Sequence, residues 1–154
     1  MACNVVLFQP EIPQNTGNIA RTCVVTNSKL HIIKPMGFSL DEKHIRRAGL
    51  DYWKYLDLTV YENIDELFER YKDKKFFFFT TKGGMRFDTA EYGEDPFIVF
   101  GRETAGLPGD LMESHKDTCV RIPMHEDRRC LNLSNAVAVG VYEVLRQTGY
   151  PELG

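Results

Sequence analysis

Residues 4–33 read NVVLFQPEIPQNTGNIARTCVVTNSKLHII. Two short apolar runs, Asn4–Phe8 and Lys29–Ile33, suit β-strands, and each is followed by proline. Between them, apolar residues recur at helical spacing over Thr16–Thr26. The stretch therefore predicts a strand, a helix and a second strand, which is the unit from which parallel sheets are built.

The rest of the chain continues this alternation. Capping-box patterns predict helices from Ser39 to Ala48 and from Asn63 to Tyr71, and a long apolar periodicity predicts a closing helix over Leu133–Gln147. Four further strands are predicted at Leu58–Tyr61, Phe76–Thr80, Phe97–Phe100 and Cys119–Ile122. The expected fold is α/β: a single domain over residues 1–154, with a mostly parallel six-stranded sheet flanked by helices.

Four consecutive phenylalanines, Phe76–Phe79, fit a buried central strand better than a platform for stacking bases. Parallel strands are covered on both faces and commonly appear as unbroken apolar runs.

Composition excludes several classes of protein. The 154 residues are 43% hydrophobic and 27% charged, and the longest apolar runs are too short to span a membrane. Four scattered cysteines form no pattern for zinc or a disulfide framework, so no metal is expected and a reducing cytoplasm is the simplest location. The net charge of −3 requires any nucleic-acid site to be a local basic patch.

Three loops at strand exits carry the candidate chemistry. They are residues 80–84, residues 101–108 and the segment from Ile122 to Asn135. Ligands of parallel α/β proteins bind beyond the carboxyl ends of strands. No G-x-G-x-x-G turn follows the first strand and no Walker motif is present, which argues against dinucleotides and ATP. Taken singly, each glycine-rich loop is better explained as an ordinary turn.

Taken together, these loops resemble the motifs of the knotted SPOUT methyltransferases, and within them the small tRNA wobble-position ribose 2′-O-methyltransferases of the TrmL type. The first motif is similar to residues 13–21, PQNTGNIAR, and the second to residues 100–108, FGRETAGLP. The third is similar to residues 121–124, RIPM, with residues 131–136, LNLSNA. Residues 46–52, RRAGLDY, also resemble this subfamily.

The resemblance implies a SPOUT fold with a C-terminal deep trefoil knot that binds S-adenosyl-L-methionine. The implied cofactor-binding residues are Phe79, Thr80, Gly101, Glu103, Ile122, Met124, Cys130 and Leu131. Apolar side chains would wall the flat adenine, glycine would permit close backbone approach, and the carboxylate would face positive charge on the cofactor. Cys130 stands where such enzymes often have serine, and a thiol is the weaker donor.

The same resemblance assigns Arg21, Asn15 and Ser134 to catalysis. Arg21 would hold RNA phosphate and stabilise the ribose oxygen, because a guanidinium stays protonated. Asn15 and Ser134 would orient the ribose or the arginine, although Ser134 or Asn132 equally suits a helix cap. The candidate RNA-binding residues are Arg46, Arg47, Lys82, Arg128 and Arg129.

The implied reaction is methyl transfer to the 2′-hydroxyl of the wobble nucleotide, cytidine or modified uridine, in the tRNA anticodon loop. The expected partners are tRNA and a second copy of the chain, since the family pattern places Arg21 of one protomer near the cofactor of the other. An rRNA 2′-O-methyltransferase and a catalytically silent RNA-binding module of the same fold remain as alternatives.

Overall fold

The computed structural model describes residues 3–40, 52–127 and 131–154. Within them lie seven strands: β1 Asn4–Phe8, β2 Lys29–Ile33, β3 Leu58–Tyr61, β4 Phe76–Phe79, β5 Met85–Arg86, β6 Phe97–Phe100 and β7 Cys119–Arg121. The helices are α1 Pro13–Val25, α2 Ile64–Arg70, α3 Gly109–Ser114 and α4 Leu133–Thr148.

The sheet has the order β3-β2-β1-β6-β4-β7-β5, and every neighbouring pair of these strands is parallel. β6 pairs with both β1 and β4, with Phe100 opposite Leu7 on one side and Phe79 on the other. The expected α/β fold with a parallel sheet is therefore confirmed.

Helices cover both faces of the sheet. Side chains alternate between faces along each strand, so β1 contributes Val5 and Leu7 to one apolar cluster and Val6 and Phe8 to the other. The first cluster packs against α1 and α4, and the second against α2. Phe77–Phe79 are buried, as predicted for a central strand.

Several boundaries differ from those predicted. α1 begins at Pro13, three residues before the predicted start, because proline fits the first turn of a helix, where no amide hydrogen is required. Asn63 caps α2 as predicted: its side chain accepts from the backbone N–H of Glu66 at 3.0 Å. β5 and α3 were not predicted, and the expected helix from Ser39 to Ala48 falls mainly outside the described residues.

The cysteines of the described segments are free thiols. Cys3, Cys23 and Cys119 are all buried. Burial raises the pKa of each thiol, that of Cys3 to about 12. In the same segments no helix is long and apolar enough to cross a membrane.

A polar cluster is buried where β1, β2 and β3 run side by side. The ring of His31, fully buried, lies 3.0 Å from Asn4 Oδ1 through Nε2 and 2.8 Å from the Tyr61 hydroxyl through Nδ1. Because an amide oxygen only accepts, Nε2 carries the proton and the tyrosine donates to Nδ1. Burial, with the nearby charges of Lys29 and Arg70, lowers the pKa of His31 to about 3.

His31 should make the stability of the protein depend on pH. An unfolded histidine has a pKa near ~6.5, so between pH 6.5 and 3 the unfolded chain binds a proton that the folded chain does not. The free energy of unfolding should therefore fall as the pH drops through this window, by about 2 kcal/mol at pH 5 from this residue. Urea unfolding of the wild type and His31→Gln from pH 7.5 to 5 measures it, and the stability advantage of the wild type should shrink as the pH falls. A constant difference would contradict the assignment.

Candidate active site

A cleft of about 860 Å³ opens at the carboxyl ends of β4, β6 and β7. It is bounded by the loops that leave these strands and by the first turns of α1 and α4. This is the edge at which parallel α/β sheets bind ligands, and the volume is typical of a small-molecule pocket.

The cleft brings together most of the residues that the sequence singles out. Those that line it are Asn15, Phe79, Thr80, Lys82, Gly101, Glu103, Ile122, Met124 and Leu131. Cys130 lies outside the described residues, as do Arg46, Arg47, Arg128 and Arg129. Arg21 and Ser134 are described but do not line the cleft.

Aromatic rings form the floor of the cleft. Phe79 and Phe100 stack with their ring centroids 4.7 Å apart. α4 lies directly against them, since a Cβ added to Gly140 would sit 3.1 Å from Phe100 Cζ and 3.2 Å from Phe79. The glycine thus lets the helix pack tightly behind the cleft.

Gly101 belongs to a compact turn whose ends are tied by the backbone. Arg102 N–H donates to Gly106 O at 3.2 Å, and Gly106 N–H donates to Arg102 O at 2.9 Å. A Cβ at Gly101 would lie 2.3 Å from the carbonyl carbon of Gly106. The close approach expected at Gly101 is therefore made by its own loop, and any side chain there would break the turn.

A second glycine holds the other wall. A Cβ at Gly83 would lie 2.4 Å from the carbonyl carbon of Val120, in β7. Beside it, Thr80 N–H donates to Val120 O at 2.9 Å. The loop after β4 is thus pressed against β7, which keeps Thr80 and Lys82 at the cleft.

Two carboxylates clasp the loop after β6 to the start of α1. Glu103 accepts from the backbone N–H groups of Glu11 at 2.9 Å and Ile12 at 2.8 Å. In return, Glu11 accepts from Thr104 through its backbone N–H at 3.0 Å and its hydroxyl at 2.8 Å. These bonds to Thr104 lower the pKa of Glu11. Sequence reasoning missed Glu11, because no local pattern marks a carboxylate whose partner lies 93 residues away.

Asn15 links this clasp to α4. Its side-chain N–H donates to Glu103 at 3.3 Å, and its side-chain oxygen accepts from the amide of Asn132 at 3.0 Å. Asn132 is the N-cap of α4, with its side-chain oxygen accepting from the backbone N–H of Ser134 at 2.9 Å. The Ser134 hydroxyl also donates to that oxygen. Asn15 and Ser134 therefore both belong to the framework of the cleft.

Arg21 lies on a different face of α1 from Asn15. Six residues separate them, and at 100° per residue their side chains diverge by roughly 120°. Arg21 is exposed, and its guanidinium carbon lies 4.8 Å from the centre of the Tyr52 ring. Its Nη2 donates to the Tyr52 hydroxyl at 3.4 Å. Within its own chain, Arg21 therefore points away from the cleft.

Lys82 is the one candidate RNA-binding residue that falls in a described segment. It also lines an adjoining recess of about 460 Å³, together with Lys116 of the segment before β7. In the described segments no group of three or more histidine, cysteine or acidic side chains is arranged to hold a metal ion.

The Asn132 cap should contribute measurably to stability. Asn132→Ala removes both the cap and the bond to Asn15, and should lower the free energy of unfolding by about 1–2 kcal/mol. Asn132→Ser keeps a cap oxygen but is too short to bridge to Asn15, and should lose about half as much. Chemical denaturation compares the three proteins. Equal losses in the two variants would show that the cap contributes nothing of its own.

The chain is similar to known proteins over nearly its whole length. Residues 2–142 match the model of the SpoU rRNA Methylase family. A Bacillus subtilis protein named "Putative tRNA (cytidine(34)-2'-O)-methyltransferase" is 54% identical, covering 99% of this chain and 98% of the relative. The Escherichia coli tRNA (cytidine(34)-2'-O)-methyltransferase is 46% identical, covering 96% of this chain and 95% of the relative.

A solved structure described as "Structural insights into the 2-OH methylation of C/U34 on tRNA" superposes with a TM-score of 0.90. It is 38% identical and the match covers 96% of both chains. The strand-exit loops around the cleft and the similarity over nearly the whole chain lead to one assignment: this protein belongs to the SpoU family of RNA methylases.

Proposed function

We propose that this protein transfers a methyl group from S-adenosyl-L-methionine to the ribose 2′-hydroxyl of nucleotide 34, the wobble nucleotide, of tRNA. The observation that carries the proposal is similarity over nearly the whole chain to tRNA (cytidine(34)-2'-O)-methyltransferases, in a structure whose cleft gathers the three matching loops. The enzyme is a tRNA 2′-O-methyltransferase that accepts cytidine or a modified uridine at this position.

The family description refers to rRNA, which keeps ribosomal RNA as the competing substrate. The relatives that match end to end at 46% and 54% identity are named for tRNA, and this favours tRNA. A silent RNA-binding module is disfavoured, because such a protein has no need of a cleft of about 860 Å³ beside the sheet.

The residues of the cleft fit S-adenosylmethionine as the methyl donor. When bound, it supplies an electrophilic methyl group on a positively charged sulfur. Ile122, Met124 and Leu131 offer apolar walls for adenine, with Cys130 beside them in the chain. Phe79, Thr80 and Gly101 shape the opposite side, and Glu103 contributes negative charge that favours a cationic ligand.

Arg21 acts on the RNA in this proposal. A guanidinium stays protonated, so Arg21 grips a phosphate and stabilises negative charge that develops on the ribose oxygen. Asn15 and Ser134 act by positioning, since both bond to Asn132 and so align α4 with the cleft. Alignment of the ribose oxygen with the methyl carbon can lower the barrier by roughly 7–11 kcal/mol in well-oriented systems.

The working unit is a homodimer in which Arg21 reaches the partner's cleft. The orientation of Arg21 away from its own cleft supports this arrangement. The outer faces of α1 and α4 carry exposed apolar side chains, Val25 at 50%, Val139 at 39% and Tyr142 at 47% exposure, which suit an interface.

We further propose that residues 1–154 form a single SPOUT domain and that the segment after β7 passes through the loop after β4, closing a deep trefoil knot. The insertion of β7 between β4 and β5, which are consecutive in the chain, supports this path. The knot would place Ile122, Met124 and Leu131 against the cofactor.

Lys82 and the four arginines Arg46, Arg47, Arg128 and Arg129 would hold tRNA phosphates, which fix its position without reading its sequence. Since tRNA is the substrate, we propose a cytoplasmic location.

The substrate assignment can be tested with one set of RNAs. The protein and radiolabelled S-adenosylmethionine are incubated with intact tRNA, with the same tRNA lacking only the 2′-hydroxyl of nucleotide 34, and with ribosomal RNA. Label should enter the intact tRNA only. The deoxy tRNA lacks the acceptor oxygen, and ribosomal RNA does not present nucleotide 34 of a tRNA to the site. Undiminished labelling of the deoxy tRNA, or preferential labelling of ribosomal RNA, would refute the assignment.

The division of roles across the dimer predicts complementation. Arg21→Ala should abolish transfer but keep cofactor affinity, whereas Ala136→Phe should fill the cleft and abolish cofactor binding. Refolding the two variants together at equal amounts should restore roughly a quarter of wild-type activity, because half the dimers are mixed and each has one complete site. Calorimetry and thermal melting of each variant serve as controls. Absence of recovery in dimers shown to be mixed would contradict the shared site.

A further inference from the structure

A short turn beside α1 presents two tyrosines on one side. In the segment from Tyr52 to Leu56, Tyr55 N–H donates to Tyr52 O at 3.0 Å and Leu56 N–H donates to Trp53 O at 3.1 Å. Such a 3₁₀ turn has three residues per turn, so residues three apart point the same way. Trp53 and Leu56 pack against the main apolar cluster, which leaves Tyr52 and Tyr55 on the outer side.

Tyr55 is the most exposed of the large hydrophobic side chains that the structure describes, at 69%. The segment is anchored by its inner residues, so the exposed ring is held on a fixed backbone. A tyrosine combines a broad apolar face with a polar tip, which suits a binding surface that is wet when free.

A cationic group lies over each of the two tyrosine rings. The guanidinium of Arg21 lies over Tyr52, and Lys54 Nζ lies 5.0 Å from the centre of the Tyr55 ring. Among the described residues neither cation forms an ion pair with a carboxylate. Two aromatic faces and two cations, neither paired with a carboxylate of the described segments, thus share one surface, defined by Arg21, Tyr52, Lys54 and Tyr55 and called here the tyrosine surface.

We propose that the tyrosine surface binds the unpaired loop of the substrate RNA, with the ring of Tyr55 stacking on a loop base and Tyr52 holding Arg21 against a neighbouring phosphate. The inference rests on the proposed function and adds a binding surface to it. Single-stranded loops offer both groups that this surface matches: base faces for the ring and phosphates for the cations. A duplex hides its base faces, so the surface selects for a loop.

The position of the surface fits this role. In the proposed function Arg21 acts on the RNA near the reacting ribose, and Tyr52 contacts Arg21 directly. Tyr55 lies one 3₁₀ turn further on, about 6 Å along the segment. A base stacked on Tyr55 therefore belongs to a nucleotide close to the one that is methylated.

The first test compares Tyr55→Ala with Tyr55→Phe. The alanine variant should bind tRNA about tenfold more weakly and raise KM for tRNA by a similar factor, because it lacks the stacking ring. The phenylalanine variant should bind nearly as the wild type does. Affinity for S-adenosylmethionine, measured by calorimetry, should be the same in all three proteins. Tyr150→Ala, which removes another exposed tyrosine, is the matched control and should leave tRNA binding unchanged.

A second test identifies the stacked base. Anticodon stem-loops with one abasic site at each loop position in turn are bound to the wild type and to Tyr55→Ala. At one position the missing base should weaken binding to the wild type but not to the variant, since ring and base then lose the same contact. Additive losses at every position would overturn the proposal.

Two further outcomes have separate meanings. If Tyr55→Ala sediments as a monomer while the wild type is a dimer, Tyr55 belongs to the protein interface and the RNA proposal is wrong. If the wild type methylates no tRNA, the proposed function fails. If the wild type methylates nucleotide 34 and Tyr55→Ala binds tRNA equally well, only the tyrosine surface is refuted.

Discussion

The pairing of β6 with both β1 and β4 is the constraint on which the site depends. All three strands are parallel, and Phe100 lies in register with Leu7 on one side and Phe79 on the other. Their carboxyl ends consequently meet at one edge, and the loops after them emerge side by side. Residues more than ninety positions apart in the chain, such as Glu11 and Thr104, therefore become neighbours.

The strands bring the loops together, and polar contacts then fix their shape. Glu103 satisfies two backbone N–H groups at the start of α1, a helix whose N-cap residue, Ile12, makes no side-chain capping bond. Asn15 extends the same chain of hydrogen bonds to Asn132 and so to α4. Glu103, which was expected to face the cofactor, therefore also holds the loop after β6 against the start of α1. The two roles are compatible, because a carboxylate has several lone pairs and can accept further contacts beside these bonds.

Local sequence patterns predicted most of the fold but missed two short elements, β5 and α3. Apolar runs and capping residues predicted six of the strands described here and the helices α1, α2 and α4. β5 has only two residues, Met85 and Arg86, and is defined by its partner β7, so no periodicity can reveal it. α3 has six residues after Pro108, too few for a periodic signal. The motifs located the cleft, but the outward orientation of Arg21 required the structure.

The ion pairs show how an acidic chain can leave cations unpaired at particular places on its surface. Many of its cations are neutralised locally, as in the pairs Lys34–Glu62, Lys74–Asp95 and Arg146–Glu143. In the described segments Arg21, Lys54 and Lys82 have no such carboxylate partner, and they lie on the tyrosine surface and at the mouth of the cleft. Net charge sums over the whole molecule, whereas a phosphate responds to the charges within about one Debye length, ~8–10 Å. The net charge of −3 therefore does not by itself oppose RNA binding at these two places.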